Sequence, residues 1–140
     1  MKNLILVLSM LFSCLVFAEP TAVTPVSITE AGYELSLSSV DATNGNSVLN
    51  TDGDIILYFY NNGTPASTPT VEVQNSSVTL PGYGPVTKTD VTCSLLGSEM
   101  CIIGPLPTRF YNDGNGKIQL TFTGAGSGNV DMLAFKAKRP

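Results

Sequence analysis

The amino-acid sequence predicts an all-β fold, a single antiparallel β-sandwich of about seven or eight strands, with a jelly-roll-like arrangement as one option. Two observations predict it. Short runs of β-branched and aromatic residues recur at roughly 8–12-residue spacing, separated by clusters of Gly, Pro, Asn and Asp. After the N-terminal region, no apolar stripe at helical spacing extends beyond about one turn.

The first half of the chain supplies the candidate strands 33–40, 54–60 and 70–74. Leu35 and Leu37 share one face of the first run, and 70–74 alternates in the same way. The run DIILYFY at 54–60 is almost continuously apolar, which is typical of a central strand covered on both faces. NTDGD before this run and NNGTPASTP after it predict loops.

The second half supplies the candidate strands 86–96, 100–103, 117–123 and 129–137. In KIQLTFT, Ile118, Leu120 and Phe122 lie on one face, so this run alternates as a half-buried strand does. NDGNGK, just before it, is typical of a hairpin turn because Asp-Gly and Asn-Gly suit backbone with positive φ.

The N-terminus has the layout of a secretory signal peptide over residues 1–18. One Lys precedes an apolar run, and cleavage between Ala18 and Glu19 would follow a small residue. A transmembrane anchor is the alternative, although the run is short for a span of about 20 residues. LFSC also resembles a lipoprotein box, which would place a lipid on Cys14. We expect an arm or edge strand at 19–32 and the sandwich domain at 33–137.

Composition narrows the function classes. Charged residues make up 13% of the chain, the net charge is −4, and the sequence contains no His. A negative chain is a poor partner for nucleic acid or an anionic membrane. Hydrolytic triads use His as their base, and no serine stands out as a nucleophile. The sequence therefore predicts a protein that is not an enzyme and needs no cofactor.

Oxygen-rich turns raise the question of a metal. TDGD and NDGNG place Asp and Asn at alternate positions, as calcium loops do, but the closing bidentate Glu of an EF-hand is missing. Asp and Asn are also common turn residues because their side chains bond to nearby backbone. We expect these Asp and Asn residues to stabilise turns and not to bind a metal, with a calcium site as the alternative.

Cys93 and Cys101 are the only cysteines after the apolar N-terminal run. We expect them to face each other across a hairpin that turns about Gly97, at a separation that a disulfide could close. Export would place them in an oxidising compartment. Two free thiols are the alternative, whereas a redox site would more often have Cys-x-x-Cys spacing.

Two aromatic residues are candidates for surface binding. Tyr83 lies between glycines in PGYGP, and Tyr111 follows Phe110 just before the predicted hairpin turn. Either could stack on a sugar, or could anchor its own loop. Tyr58 and Tyr60 lie in the central strand, where we expect core or strand-face roles.

The segments NTDGDIILYFYNNG, GSEMCIIGPLPTRFYNDGNGKIQLTFTG and NVDMLAFKA resemble a family of small virion proteins of tailed bacteriophages, of the head decoration or auxiliary type. The matching features are Ile103-Gly104-Pro105, Leu106-Pro107, Phe110, Asn112-Asp113 and the strand 118–122. The resemblance covers about residues 50–136 and brings no catalytic residues. The leader and the cysteine pair depart from the family pattern.

The resemblance implies a non-enzymatic structural protein that docks on a larger protein surface, such as a capsid, and is located in the virion. The leader and the cysteines support the alternative, an exported bacterial surface or periplasmic module that binds glycan or an envelope-assembly partner. In both cases we expect a protein partner, with a homo-oligomer left open, and no membrane contact after signal cleavage.

Overall fold

The structure is a computed structural model that describes residues 18–28 and 34–136. The predicted leader up to residue 17 lies outside the described residues, as do the ends of the predicted 33–137 domain; Ala18 and Glu19 are exposed. Cleavage between them stays a prediction. The described residues form these elements: β1 Thr21–Val23, β2 Val26–Ser27, β3 Ser38–Ser39, β4 Asn46–Leu49, β5 Ile55–Asn61, β6 Thr68–Val71, β7 Ser77–Leu80, β8 Gly84–Thr87, β9 Val91–Thr92, β10 Met100–Ile103, α1 Thr108–Tyr111, β11 Lys117–Thr123, a 3-10 turn Ser127–Asn129 and β12 Val130–Lys136.

The strands build two principal sheets, which confirms the predicted all-β sandwich. Sheet A has the order β1-β4-β11-β6-β9, and sheet B has the order β10-β5-β12-β2, with β3 also pairing with β12. A separate hairpin, β7-β8, is inserted between β6 and β9. The predicted strand 86–96 is therefore divided between the end of that hairpin and β9.

Strand pairing has the pattern of a jelly roll. The antiparallel pairs β3·β12, β4·β11, β5·β10 and β6·β9 form one long folded hairpin. Rolling it up adds the antiparallel pairs β5·β12 and β6·β11, which complete the two sheets. Eight strands connected in this way are the jelly-roll form of the sandwich.

The N-terminal segment departs from the expected purely antiparallel arrangement. β1 pairs with β4 and β2 pairs with β12, and both pairings are parallel. Residues 24 and 25 carry the chain from the edge of sheet A to the edge of sheet B. Both sheets are consequently mixed at this side, and the segment predicted as an arm or edge strand supplies an edge to each.

The core lies between the sheets and follows the period of two along each strand. Its inward side chains include Ile55, Leu57 and Phe59 of β5, Ile118, Leu120 and Phe122 of β11, and Val130, Met132 and Ala134 of β12. Phe59 and Phe122 meet edge to face across the sheets, with ring centroids 6.1 Å apart. This geometry is favourable for aromatic pairs.

Candidate docking surface

The outer face of sheet B carries apolar side chains where a solvated sandwich would carry polar ones. β5 sends Ile55, Leu57 and Phe59 into the core, so the alternate residues Ile56, Tyr58 and Tyr60 point outward and are half-buried. The sequence predicted cover on both faces of this strand. Among the described residues, only the inner face is covered by the second sheet.

β10 extends this surface to the edge of the sheet. Met100 lies opposite Tyr60 and Ile102 lies opposite Tyr58, so the four side chains form a contiguous group on one face. Met100 and Ile102 are 63% and 64% exposed. The Tyr58 hydroxyl donates to Sδ of Met100 at 3.7 Å, which ties the two strands together across this face.

β12 completes the surface on the other side of β5. Leu133 lies opposite Tyr58, and Phe135 lies opposite Ile56. We call the seven apolar side chains that point outward from these three strands the apolar face: Ile56, Tyr58, Tyr60, Met100, Ile102, Leu133 and Phe135. Leu133 is buried within it, and Phe135 is half-buried.

A polar cluster around Asp131 borders the apolar face next to Tyr60. The two carboxylate oxygens of Asp131 accept hydrogen bonds from Ser39 Oγ at 2.8 Å and Asn62 Nδ2 at 2.7 Å. An uncharged centre with a polar border is the usual layout of a protein–protein contact surface.

The structure confirms a Cys93–Cys101 disulfide but shows that the predicted hairpin is wrong. β9 pairs with β6 in sheet A and β10 pairs with β5 in sheet B, so the two strands do not pair with each other. The bond joins the edges of the two sheets, with Cα atoms 6.6 Å apart. It fastens the side of the sandwich opposite the crossing at residues 24 and 25.

The two predicted surface aromatics lie in different environments. Tyr83 is 86% exposed in the turn of the β7-β8 hairpin, away from the strands that form the apolar face. Tyr111 is buried in the core cluster, so its prediction as an exposed platform is wrong. It ends α1, a short helix that the sequence did not predict and that turns Phe110 and Tyr111 inward.

Tyr111 borders a cleft formed with residues 87–92. Burial, and secondly the negative charge of Asp90, raise the pKa of the Tyr111 phenol. The hydroxyl therefore stays protonated at physiological pH and can donate a hydrogen bond. A loop-anchoring role, one of the two readings of the sequence, fits this position.

The oxygen-rich turn at 112–116 uses its carboxylate internally. Asp113 Oδ1 accepts from the backbone N–H groups of Asn115 and Lys117, and Oδ2 accepts from Gln119 Nε2 at 2.7 Å. Burial raises the pKa of Asp113, but these hydrogen bonds outweigh burial and hold it below its ordinary value. Within the described residues, no group of three or more His, Cys, Asp or Glu side chains is placed to hold a metal.

Sequence reasoning missed the outward role of Met100 and Ile102. MCII is too short to show alternation, and its two outward residues became visible as surface only once β10 was placed at an edge. One signal of this surface was present in the sequence. A sandwich strand usually carries polar residues on its outward face, whereas β5 carries an apolar residue at each outward position.

Comparisons with known proteins returned no match among protein-family models, curated proteins or solved structures. None of the described helices has the length and apolar character needed to cross a membrane. The fold and the surface define the class of molecule described here: a disulfide-linked jelly-roll sandwich with an apolar outer sheet face.

Proposed function

We propose that this protein is a non-enzymatic structural module that docks on a larger protein surface, as a head decoration or auxiliary protein of a tailed-phage virion does. The observation that carries the docking role is the apolar face. Its centre has no charged side chain, Asp131 lies at its border, and it spans three hydrogen-bonded strands.

The energetics of the apolar face favour a protein partner. Burying a Met or Ile side chain fully contributes about 1.5–3 kcal/mol relative to leaving it exposed, and Met100 and Ile102 are still more than half exposed. Tyr58 and Tyr60 add large, rigid apolar area with a hydroxyl at the end, a combination enriched at the centre of protein interfaces.

The virion setting rests on the sequence resemblance over residues 50–136. It is tested by sedimenting phage particles from the virus that carries this gene through a density gradient and measuring this protein across the fractions. We expect a fixed ratio to the major capsid protein in the particle peak. Recovery only in the soluble fractions, with none on particles, would refute the virion role.

The second candidate function is an exported surface or periplasmic binding module. The inter-sheet disulfide favours it, because disulfides persist in oxidising compartments. Mass spectrometry of the cellular protein should then find an N-terminus at Glu19 and a mass two hydrogens below that of the reduced chain. An intact Met1 with both thiols free would exclude this candidate.

A further inference from the structure

The outer side of β10 presents backbone groups that are free to pair with another strand. β10 is the last strand of sheet B, next to β5 alone. The backbone N–H of Asn61 donates to the carbonyl oxygen of Glu99, and the oxygen of Asn61 accepts from the N–H of Ser98, so 98 and 99 form a bulge opposite 61 that occupies the hydrogen-bonded position before Met100 and Tyr60. Hydrogen-bonded and non-hydrogen-bonded pairs alternate along an antiparallel ladder. The N–H and C=O groups of Met100 and Ile102 therefore point away from β5, toward the open edge.

The four residues of β10 carry no protection of this edge, since the bulge at Ser98 and Glu99 lies before the strand and leaves Met100–Ile103 in regular pairing with β5. Natural edge strands usually carry Lys, Pro or a bulge that blocks pairing with another chain. The strand reads Met-Cys-Ile-Ile, and both of its outward-facing residues are exposed. The disulfide at Cys101 also fastens the strand to the neighbouring sheet, which fixes the edge in place.

We propose that two copies of this chain associate by antiparallel pairing of β10 with β10 about a two-fold axis at Cys101. In this register Met100 faces Ile102 of the second copy, and Ile102 faces Met100. Both are the residues whose backbone groups point to the edge, so the register forms four inter-chain hydrogen bonds. Antiparallel partners that face each other lie on the same side of a sheet, so the two apolar faces become continuous.

Charge does not oppose this register, although each copy carries a net charge of −4. The four residues of β10 are uncharged, and the flanking Glu99 falls opposite Ile103 of the second copy. No two carboxylates are placed directly opposite each other. A two-fold interface must be complementary to itself, and this short apolar strand meets that condition.

Sedimentation of the purified, oxidised protein from micromolar to near-millimolar concentration tests the proposal without any particle or partner. We expect a monomer–dimer equilibrium. Ile102→Pro removes an N–H that points to the edge without removing a hydrogen bond to β5, and it should abolish the dimer. Ile102→Thr keeps that N–H and the β-branched shape, so it should weaken the dimer without abolishing it.

The wild-type chain provides a second measurement that does not depend on the folding of the proline variant. Amide exchange followed by NMR should slow with rising protein concentration at Met100 and Ile102, and should be independent of concentration at Cys101, which already pairs with β5. Three results would each overturn the proposal. They are a monomer throughout the concentration range, a dimer that persists in Ile102→Pro, and exchange rates at these two amides that do not change with concentration. Because no particle is present in these experiments, failure of the dimer proposal would not count against the docking role, which the particle experiments test separately.

Discussion

Asn50 and Asn112 hydrogen-bond to each other in both directions across 62 positions of sequence. Nδ2 of Asn50 donates to Oδ1 of Asn112 at 2.7 Å, and Nδ2 of Asn112 donates to the backbone oxygen of Asn50 at 2.7 Å. Asn50 also donates to the oxygen of Leu106 and accepts from the N–H of Gly53. The pair therefore fastens the turn between β4 and β5 to the segment around α1.

Replacing Asn50 with Ala should destabilise the fold strongly. Asn50 is fully buried, and its removal leaves the N–H of Gly53 and the oxygen of Leu106 without these partners. An unsatisfied buried group costs about 1–3 kcal/mol, so we expect a loss of roughly 2–4 kcal/mol in the free energy of unfolding. Denaturant unfolding followed by circular dichroism measures it.

Asn115→Ala is the matched control, because Asn115 is an exposed turn residue. Its stability should stay within about 0.5 kcal/mol of wild type. Equal losses in both variants would contradict the role assigned to the Asn50–Asn112 pair.

Loss of the disulfide should lower stability by a moderate amount. The bond closes a short loop, with a sequence separation of 8, and the chain-entropy model gives about 2–3 kcal/mol for a loop of this size. Thermal unfolding of the Cys93→Ser/Cys101→Ser variant should show this loss. A reductant should lower the wild-type Tm toward that of the variant and leave the Tm of the variant unchanged. If the wild-type Tm does not change in reductant, under conditions shown to break the disulfide, the disulfide does not stabilise the fold.

Asp41 should titrate well below an ordinary aspartate. The backbone N–H of Asn44 first, then its side chain and the hydroxyl of Thr21, lower the pKa of Asp41 from 3.8 to about 2. Because the folded pKa is the lower one, the stabilising effect of Asp41 is complete above the ordinary value and is lost as the pH falls from 3.8 toward 2. β1 should loosen from β4 over that range.

Carbon-13 NMR of the Asp41 carboxyl group checks this titration. Thr21→Val removes one donor to the carboxylate and should raise the pKa of Asp41 toward its ordinary value. A wild-type midpoint at the ordinary value, unmoved by Thr21→Val, would show that these hydrogen bonds do not form.

Local pattern was enough to predict some of this fold. The alternation of Ile118, Leu120 and Phe122 identified β11 and its buried face, because the period of two depends only on residues within the strand. The turn signals around Gly53 and Gly116 were also local, and both glycines have positive φ.

Other features depend on which strands become neighbours, and local pattern does not contain that information. Cys93 and Cys101 have a spacing that suits a hairpin. However, β9 pairs with β6 and β10 pairs with β5, so the strands next to the two cysteines lie in different sheets. Tyr111 comes just before a turn-like segment, but α1 places its side chain in the core. The docking surface was missed for the same reason, because the outward face of β5 is recognised only when its neighbours are known.

A charge placed in the middle of the apolar face tests the docking role. Tyr58→Lys changes the outward side chain of β5 that lies between Ile102 and Leu133, and β5 is paired on both sides, so the backbone edge of β10 is unchanged. Thr121→Lys adds the same charge to an exposed position on β11, in the other sheet. Each variant is mixed with phage particles that lack the wild-type protein and is sedimented through a density gradient. We expect Tyr58→Lys to be lost from the particle peak while wild type and Thr121→Lys remain in it. Retention of Tyr58→Lys on particles at the wild-type ratio would refute docking through the apolar face.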